Sequence, residues 1–208
     1  MSSPELLEAG DQPAGSLLRR LLQVAVALVL LVTAAGLYFA YYASHYDPLR
    51  PGSLRDPGDA TVALGLAPHA DTYQLPWSPG KPQVAAFSIA NHGRWAVTID
   101  GVKENSIGSF FGILGSDAYE ITASGEPGSE ISLPNRLDPG HEILIDVAYL
   151  TTTCGLLPKS GGYVGASMDG LPVRWHALGV GHVTNVPTPI VRVTTPSNVA
   201  QDFDKPCV

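Results

Sequence analysis

Apolar residues run along this chain in two rhythms. From Leu21 to Tyr42 they are continuous, LLQVAVALVLLVTAAGLYFAYY, with no charged side chain and only Gln23 and Thr33 clearly polar. A soluble amphipathic helix keeps a polar face and this segment has none. At about 1.5 Å per residue it reaches roughly 33 Å, enough to cross a hydrocarbon core. After residue 60 the apolar positions instead alternate with polar ones in short runs broken by turn residues, which is the period of half-buried strands.

The runs predict individual strands. Thr61–Leu66 places Val62, Leu64 and Leu66 on one face, and Gln83–Ala90 places Ala85, Phe87 and Ile89 together before a turn at Asn91-His92-Gly93. Val97–Val102 follows. Ser106–Leu137 is irregular, with a glycine-broken apolar stretch at Phe110–Leu114 and a short candidate strand at Tyr119–Ala123. Glu142–Leu150 alternates cleanly, with Ile143, Ile145, Val147 and Tyr149 inward and Glu142, Asp146 and Ala148 outward. Tyr163–Leu178 is expected to form a hairpin turning at Asp169-Gly170, with Met168 opposite Leu171, Ala166 opposite Val173 and Val164 opposite Trp175. Ile190–Thr194 is the last strand. About seven such strands, with turns every 8–15 residues or so, predict an all-β fold: an immunoglobulin-like antiparallel sandwich preceded by one N-terminal transmembrane helix.

The flanks of the apolar segment refine the domain plan. Arg19 and Arg20 abut one end, while Tyr38, Tyr41, Tyr42 and Tyr46 cluster at the other, as rings do at headgroup level. A cleaved signal peptide has a shorter apolar region and a small-residue site after it, and here the flank is aromatic. The closer arginine pair outweighs Arg50 and Arg55 and places the N-terminus in the cytoplasm. The expected plan is a cytoplasmic tail at 1–20, a span at 21–42, a stalk at 43–59 and an extracytoplasmic domain at 60–208 of a single-pass cell-membrane protein. Three prolines and two glycines in 43–59 suggest the semi-rigid stalk.

Composition excludes more than it identifies. The net charge is −7 with no basic cluster, which argues against nucleic acid as a partner. Among 208 residues, 22 glycines and 18 prolines suit short strands and turns. Phe87-Ser88-Ile89-Ala90-Asn91-His92-Gly93, Val97–Val102, Leu137-Asp138-Pro139-Gly140, Cys154, Leu178-Gly179 and Val186-Pro187-x-Pro189-Ile190 before Cys207 together carry a likeness. Over roughly residues 20–208 the chain resembles uncharacterised membrane-anchored proteins of actinobacteria with an immunoglobulin-like domain. That resemblance implies a topology and carries over no functional residue.

Candidate chemistry is sparse. Cys154 and Cys207 are the only cysteines, and two cysteines in an exported domain form a disulfide more often than a metal site or a redox thiol. Closing a loop of about 53 residues would stabilise by roughly 4 kcal/mol in the chain-entropy model. The histidines (His45, His69, His92, His141, His176, His182) show no metal-ligand spacing. Gly165-Ala166-Ser167-Met168-Asp169 is the nearest approach to a nucleophile elbow, but it has Asp where the second glycine belongs. No catalytic, cofactor or metal residue is therefore expected. Trp175 should be core, whereas Trp77, Trp95, Phe110 and Phe111 are candidate contacts for a protein partner. The expected function is a non-enzymatic surface domain that mediates or supports protein contacts outside the membrane. The alternative is a metal-handling or small-ligand-binding domain.

Overall fold

The computed structural model describes residues 14–63, 71–104, 110–158 and 164–201. These fall into two compact units that divide between His45 and Tyr46.

The first unit holds one helix, α1, Ala14–Ser44. Leu18–Ser44 is long and apolar enough to cross a membrane once, and every side chain from Leu18 to Tyr42 is exposed. Thr33 does not leave a polar hydrogen stranded in this apolar surface, because its Oγ1 donates to the Val29 carbonyl at 2.8 Å. At the C-terminal end Ser44 Oγ donates to the Tyr41 carbonyl at 2.9 Å, so the last turn is closed by its own side chain.

The second unit is all β. Its strands in chain order are β1 Leu49–Asp56, β2 Thr61–Ala63, β3 Thr72–Leu75, β4 Gln83–Asn91, β5 Val97–Val102, β6 Phe111–Ile121, β7 Pro127–Ile131 and β8 Asn135–Leu137, followed by β9 Glu142–Thr151, β10 Leu156–Pro158, β11 Gly165–Met168, β12 Leu171–Ala177, β13 Val180–Val186, β14 Ile190–Thr194 and β15 Val199–Gln201. One sheet runs β1-β4-β9-β6-β7. Facing strands form β13-β12-β5-β8 and β11-β14-β3-β2. The orders β1-β4-β9-β6 and β13-β12-β5 reproduce the two sheets of an immunoglobulin-type sandwich, A-B-E-D and G-F-C. The β3–β14 pair is parallel and the others are antiparallel. β10 and β15 form a separate two-stranded sheet, and inward residues from the three larger sheets merge into one core, including Phe87, Ile89, Ile145, Tyr149, Ile99, Trp175, Tyr73 and Val193.

The sandwich departs from the immunoglobulin pattern in its staples. Its fully buried tryptophan, Trp175, lies on the F-equivalent strand β12 instead of the C-equivalent, and β4 and β12 carry no cysteine to join them.

Several expectations change. Eight of the residues predicted as a stalk at 43–59 are instead a strand: β1 pairs with β4 from Leu49↔Asn91 to Asp56↔Ala86, with a register shift between Pro51 and Arg55 that takes up Gly52, Ser53 and Leu54. The prolines and glycine there mark an irregular edge strand and not a spacer. Of Thr61–Leu66 only Thr61–Ala63 is a described strand, and Val62 is exposed because β2 is an edge of its sheet; Leu64 and Leu66 lie outside the described residues.

The expected hairpin at Asp169-Gly170 is a kink. A two-residue type I′ turn needs positive φ at both central residues. Of this pair only Gly170 has it, at 82°, whereas Leu178 and Gly179 stand at 53° and 79°. The hairpin therefore turns at Leu178-Gly179, with Ala177↔Val180 closing it. Gly165–Ala177 and Val180–Thr194 form one long ribbon interrupted at Asp169-Gly170 and Pro187-Thr188-Pro189. The amide of Asn185 ties the two strands there by donating to the Asp169 carbonyl at 2.9 Å. The alternation predicted for this segment is the one observed, with Leu171, Val173 and Trp175 buried and Arg174 and His176 exposed.

Candidate functional site

Where the β unit begins, three aromatic side chains gather and the backbone of Trp95 joins them. The ring of Tyr46 meets Trp175 edge-on at 6.2 Å, and Trp175 stacks on His182 at 4.2 Å. The Tyr46 hydroxyl accepts from the Trp95 amide at 3.0 Å. Trp175 Nε1 donates to Thr184 Oγ1 at 3.0 Å, and that hydroxyl donates to Asp47 Oδ1 at 3.1 Å. Tyr46 and Asp47 are thus bound to the turn between β4 and β5 on one side and to β13 on the other. His182 Nε2 is buried without a hydrogen-bond partner among the described residues.

The same turn is held from beneath by Asn91. Its Nδ2 donates to the carbonyls of Trp95 and Leu137, both at 2.9 Å, and its Oδ1 accepts from the Gly93 amide at 2.9 Å. Asn91 belongs to β4 and Leu137 to β8, so one buried amide joins the two sheets. Gly93 admits no side chain, since a Cβ would collide with the Tyr46 hydroxyl and Pro48.

The outer face of the larger sheet carries acids in two settings. Glu142 reaches across β4 to the bulge of β1, accepting from the Ser53 amide at 2.6 Å and the Ser53 hydroxyl at 3.0 Å. Burial opposes its ionisation, but hydrogen bonds from Ser88, Ser53 and Leu54 outweigh it and hold the carboxyl below its ordinary range. Asp146 has no such donors. It lies directly opposite Asp117 across the β6–β9 ladder, and burial together with the charges of Asp117 and Asp56 raises its pKa. Burial also pushes the Tyr149 phenol well above its ordinary value.

An open cleft of about 290 Å³ lies between β6, β9 and β8, with Glu120, Arg136, Asp138 and His141 on its walls. Arg136 is committed to Asp138, Nε to Oδ1 at 2.9 Å. In the same sheet as Arg136, His176 Nδ1 on β12 meets the Asp100 carboxylate on β5 at 3.0 Å. Among the described residues no group of three His, Cys, Asp or Glu side chains is arranged to hold a metal ion. Ser167 is exposed on β11, in register with Arg192 and not with a histidine.

The expected partner contacts separate. Phe110 and Phe111 are buried, so they are corrected from contacts to core. Phe111 stacks on Tyr149 at 5.7 Å, and Phe110 meets the half-buried Trp77 edge-on at 6.1 Å. The glycine-broken run enters the core because β6 slips register between Ile113 and Gly115, which expels Leu114 instead. Trp95 remains a surface residue at 49% exposure. Cys154 sits in the turn before β10, and Cys207 lies outside the described residues, as does His69. The reading from sequence missed β13 and the Glu142 clamp; the only local signal for β13 was Leu178-Gly179, a pair able to hold two positive φ angles.

No family model matches the chain, and no curated protein is similar to it.

Proposed function

We propose that this chain is a non-enzymatic surface protein, held in the cell membrane by its single span and presenting the β unit outside the cytoplasm to support protein contacts there. The observation that carries this reading is α1, whose apolar side chains stand exposed from Leu18 through Tyr42. A water-soluble chain would not leave so long an apolar surface uncovered. The arginine pair at Arg19-Arg20 supports a cytoplasmic N-terminus. Kinship with the actinobacterial membrane-anchored proteins noted above is part of the same proposal.

An oxidising exterior agrees with a Cys154–Cys207 disulfide. The antiparallel β10–β15 pair sets Leu156 against Gln201, two residues beyond Cys154 and six before Cys207. Six residues span at most about 20 Å, a length that would allow Cys207 to reach Cys154. Such a bond would close the C-terminal tail onto the sandwich. Trp95 is the contact residue retained from the four expected.

Cross-linking intact cells with a membrane-impermeant amine reagent, then recovering the protein, tests the contact role. A discrete linked species that weakens with Trp95→Ala supports it; a protein that links to nothing removes it. The cleft beside Glu120 favours a small-ligand reading second, and a thermal shift with low-molecular-weight cations that disappears in Glu120→Gln would promote that reading.

A further inference from the structure

The edges of a sheet offer unpaired backbone groups, and soluble proteins normally block them with charge, proline, bulges or brevity. Five of the six edges of the three larger sheets here are blocked. β1 has Arg50, Pro51, Arg55 and a register shift; β7 has Pro127 and Glu130; β8, β2 and β11 are only three, three and four residues long. β13 is different. It runs seven residues, VGHVTNV, with no charge, no proline and an unbroken register against β12.

Which of its backbone groups face outward follows from the register. Ala177↔Val180 closes a two-residue turn and is a hydrogen-bonded pair, so Val180, His182, Thr184 and Val186 bond to β12. Gly181, Val183 and Asn185 then direct their N–H and C=O groups away from it. The other side of the ladder agrees: Pro172, opposite Asn185, gives its carbonyl to Lys103 on the far side of β12 at 2.7 Å. No described residue bonds to the backbone of Gly181, Val183 or Asn185. Among the described residues of the β unit, Val183 is the most exposed large apolar side chain, at 57%.

We propose that β13 is a self-association edge, at which two copies of this chain pair β13 antiparallel to β13 about a two-fold axis through Val183. The strand is its own complement. Val183 meets Val183, Gly181 meets Asn185, and the absence of charge removes the like-charge contacts a two-fold axis would otherwise impose. One strand pair covers less than the roughly 1,000 Å² of a stable soluble interface. The pairing therefore belongs to copies confined to one membrane, where tethering raises the effective concentration, and it rests on the anchoring proposed above.

The test uses the full chain in lipid vesicles with Val183→Cys. Directly opposite residues of a hydrogen-bonded antiparallel pair stand about 5.5 Å apart at Cα, within disulfide reach. Oxidation should yield a linked dimer on the order of tenfold more abundant than for Leu114→Cys, exposed elsewhere, or for the unsubstituted chain. Val183→Lys should abolish chemical cross-linking between copies while leaving the unfolding transition in place. Equal linking by Leu114→Cys, an unlinked Val183→Cys, or undiminished pairing of Val183→Lys overturns the proposal. Linking of Val183→Cys only to a different polypeptide in native membranes does so too, and assigns the edge to an extended peptide. Flotation of the same vesicles separates the two readings, since a chain that does not float with lipid overturns the anchoring itself.

Discussion

Asn91→Ala should be among the most damaging single changes in the β unit. The wild-type side chain is fully buried and makes three hydrogen bonds, to the carbonyls of Trp95 and Leu137 and from the amide of Gly93, each at 2.9 Å. Truncation strands the Leu137 carbonyl and the Gly93 N–H, and leaves the Trp95 carbonyl with only the long 3.4 Å bond from the Tyr46 hydroxyl. At about 1 kcal/mol for each bond lost, with roughly one more for the small void, the loss is about 3–4 kcal/mol. For a domain of this size that is a fall of roughly 10 °C in Tm. A domain stable by about 5–15 kcal/mol survives it, so the variant remains measurable. Asn91→Asp is the sharper variant. It keeps an acceptor for Gly93 but turns a negative oxygen toward two carbonyls, and it should be at least as damaging as alanine. Urea unfolding of the full chain in detergent, followed by tryptophan fluorescence, reads both. A loss under about 1 kcal/mol for alanine, or an aspartate variant more stable than the alanine one, would refute the role given to this amide.

Three further outcomes are expected. Glu142→Ala should cost about 1–2 kcal/mol at neutral pH. Because the folded-state pKa lies below the unfolded one, the clamp is present above the ordinary carboxylate range and lost as pH falls through the folded value, so variant and wild type should converge only well under about pH 4; a constant gap down to acid would contradict it. Asp146 has a raised pKa, so its charge weakens the fold once pH exceeds both values; Asp146→Asn should stabilise by about 0.2–1 kcal/mol at neutral pH, with the gain vanishing in acid, as denaturant midpoints across pH will show. Gly179→Ala should cost about 1 kcal/mol from its positive φ alone, since nothing lies within 4 Å of the added Cβ, whereas Gly181→Ala, equally open but in ordinary strand conformation, should be near neutral in the same unfolding assay.

Much of this architecture is legible in the residue pattern where the period is strong and one face is buried. α1 and β9 are such cases, and so is the inward set Leu171, Val173 and Trp175. The failures have a common cause: two backbone states can share one side-chain alternation. Asp169-Gly170 reads as a hairpin turn because the faces on either side match, and only the φ angles, positive at Leu178 as well as Gly179, say where the chain reverses. β13 was hidden because Gly181, His182, Thr184 and Asn185 break any apolar stripe, the inward positions between Val180 and Val186 being a stacked imidazole and a hydroxyl. Pro51 and Gly52 look like a spacer until Glu142 and Ser88, distant in sequence, are seen to hold the bulge. Phe110 and Phe111 illustrate the limit for site prediction. An apolar run beside glycines has the same composition whether it meets a partner or its own core, and the register slip at Leu114 decides it. Trp95 stays on the surface because its backbone, not its ring, is what Tyr46 and Asn91 hold.

A single span carrying the β unit to the outside is the central proposal. Protease added to intact, wall-permeabilised cells expressing the chain with a C-terminal epitope tests this most directly. Loss of the epitope, with an N-terminal epitope retained on a membrane-bound fragment, is the predicted result. A C-terminal epitope that survives until the membrane is dissolved, or that is recovered in the soluble fraction without protease, would contradict it.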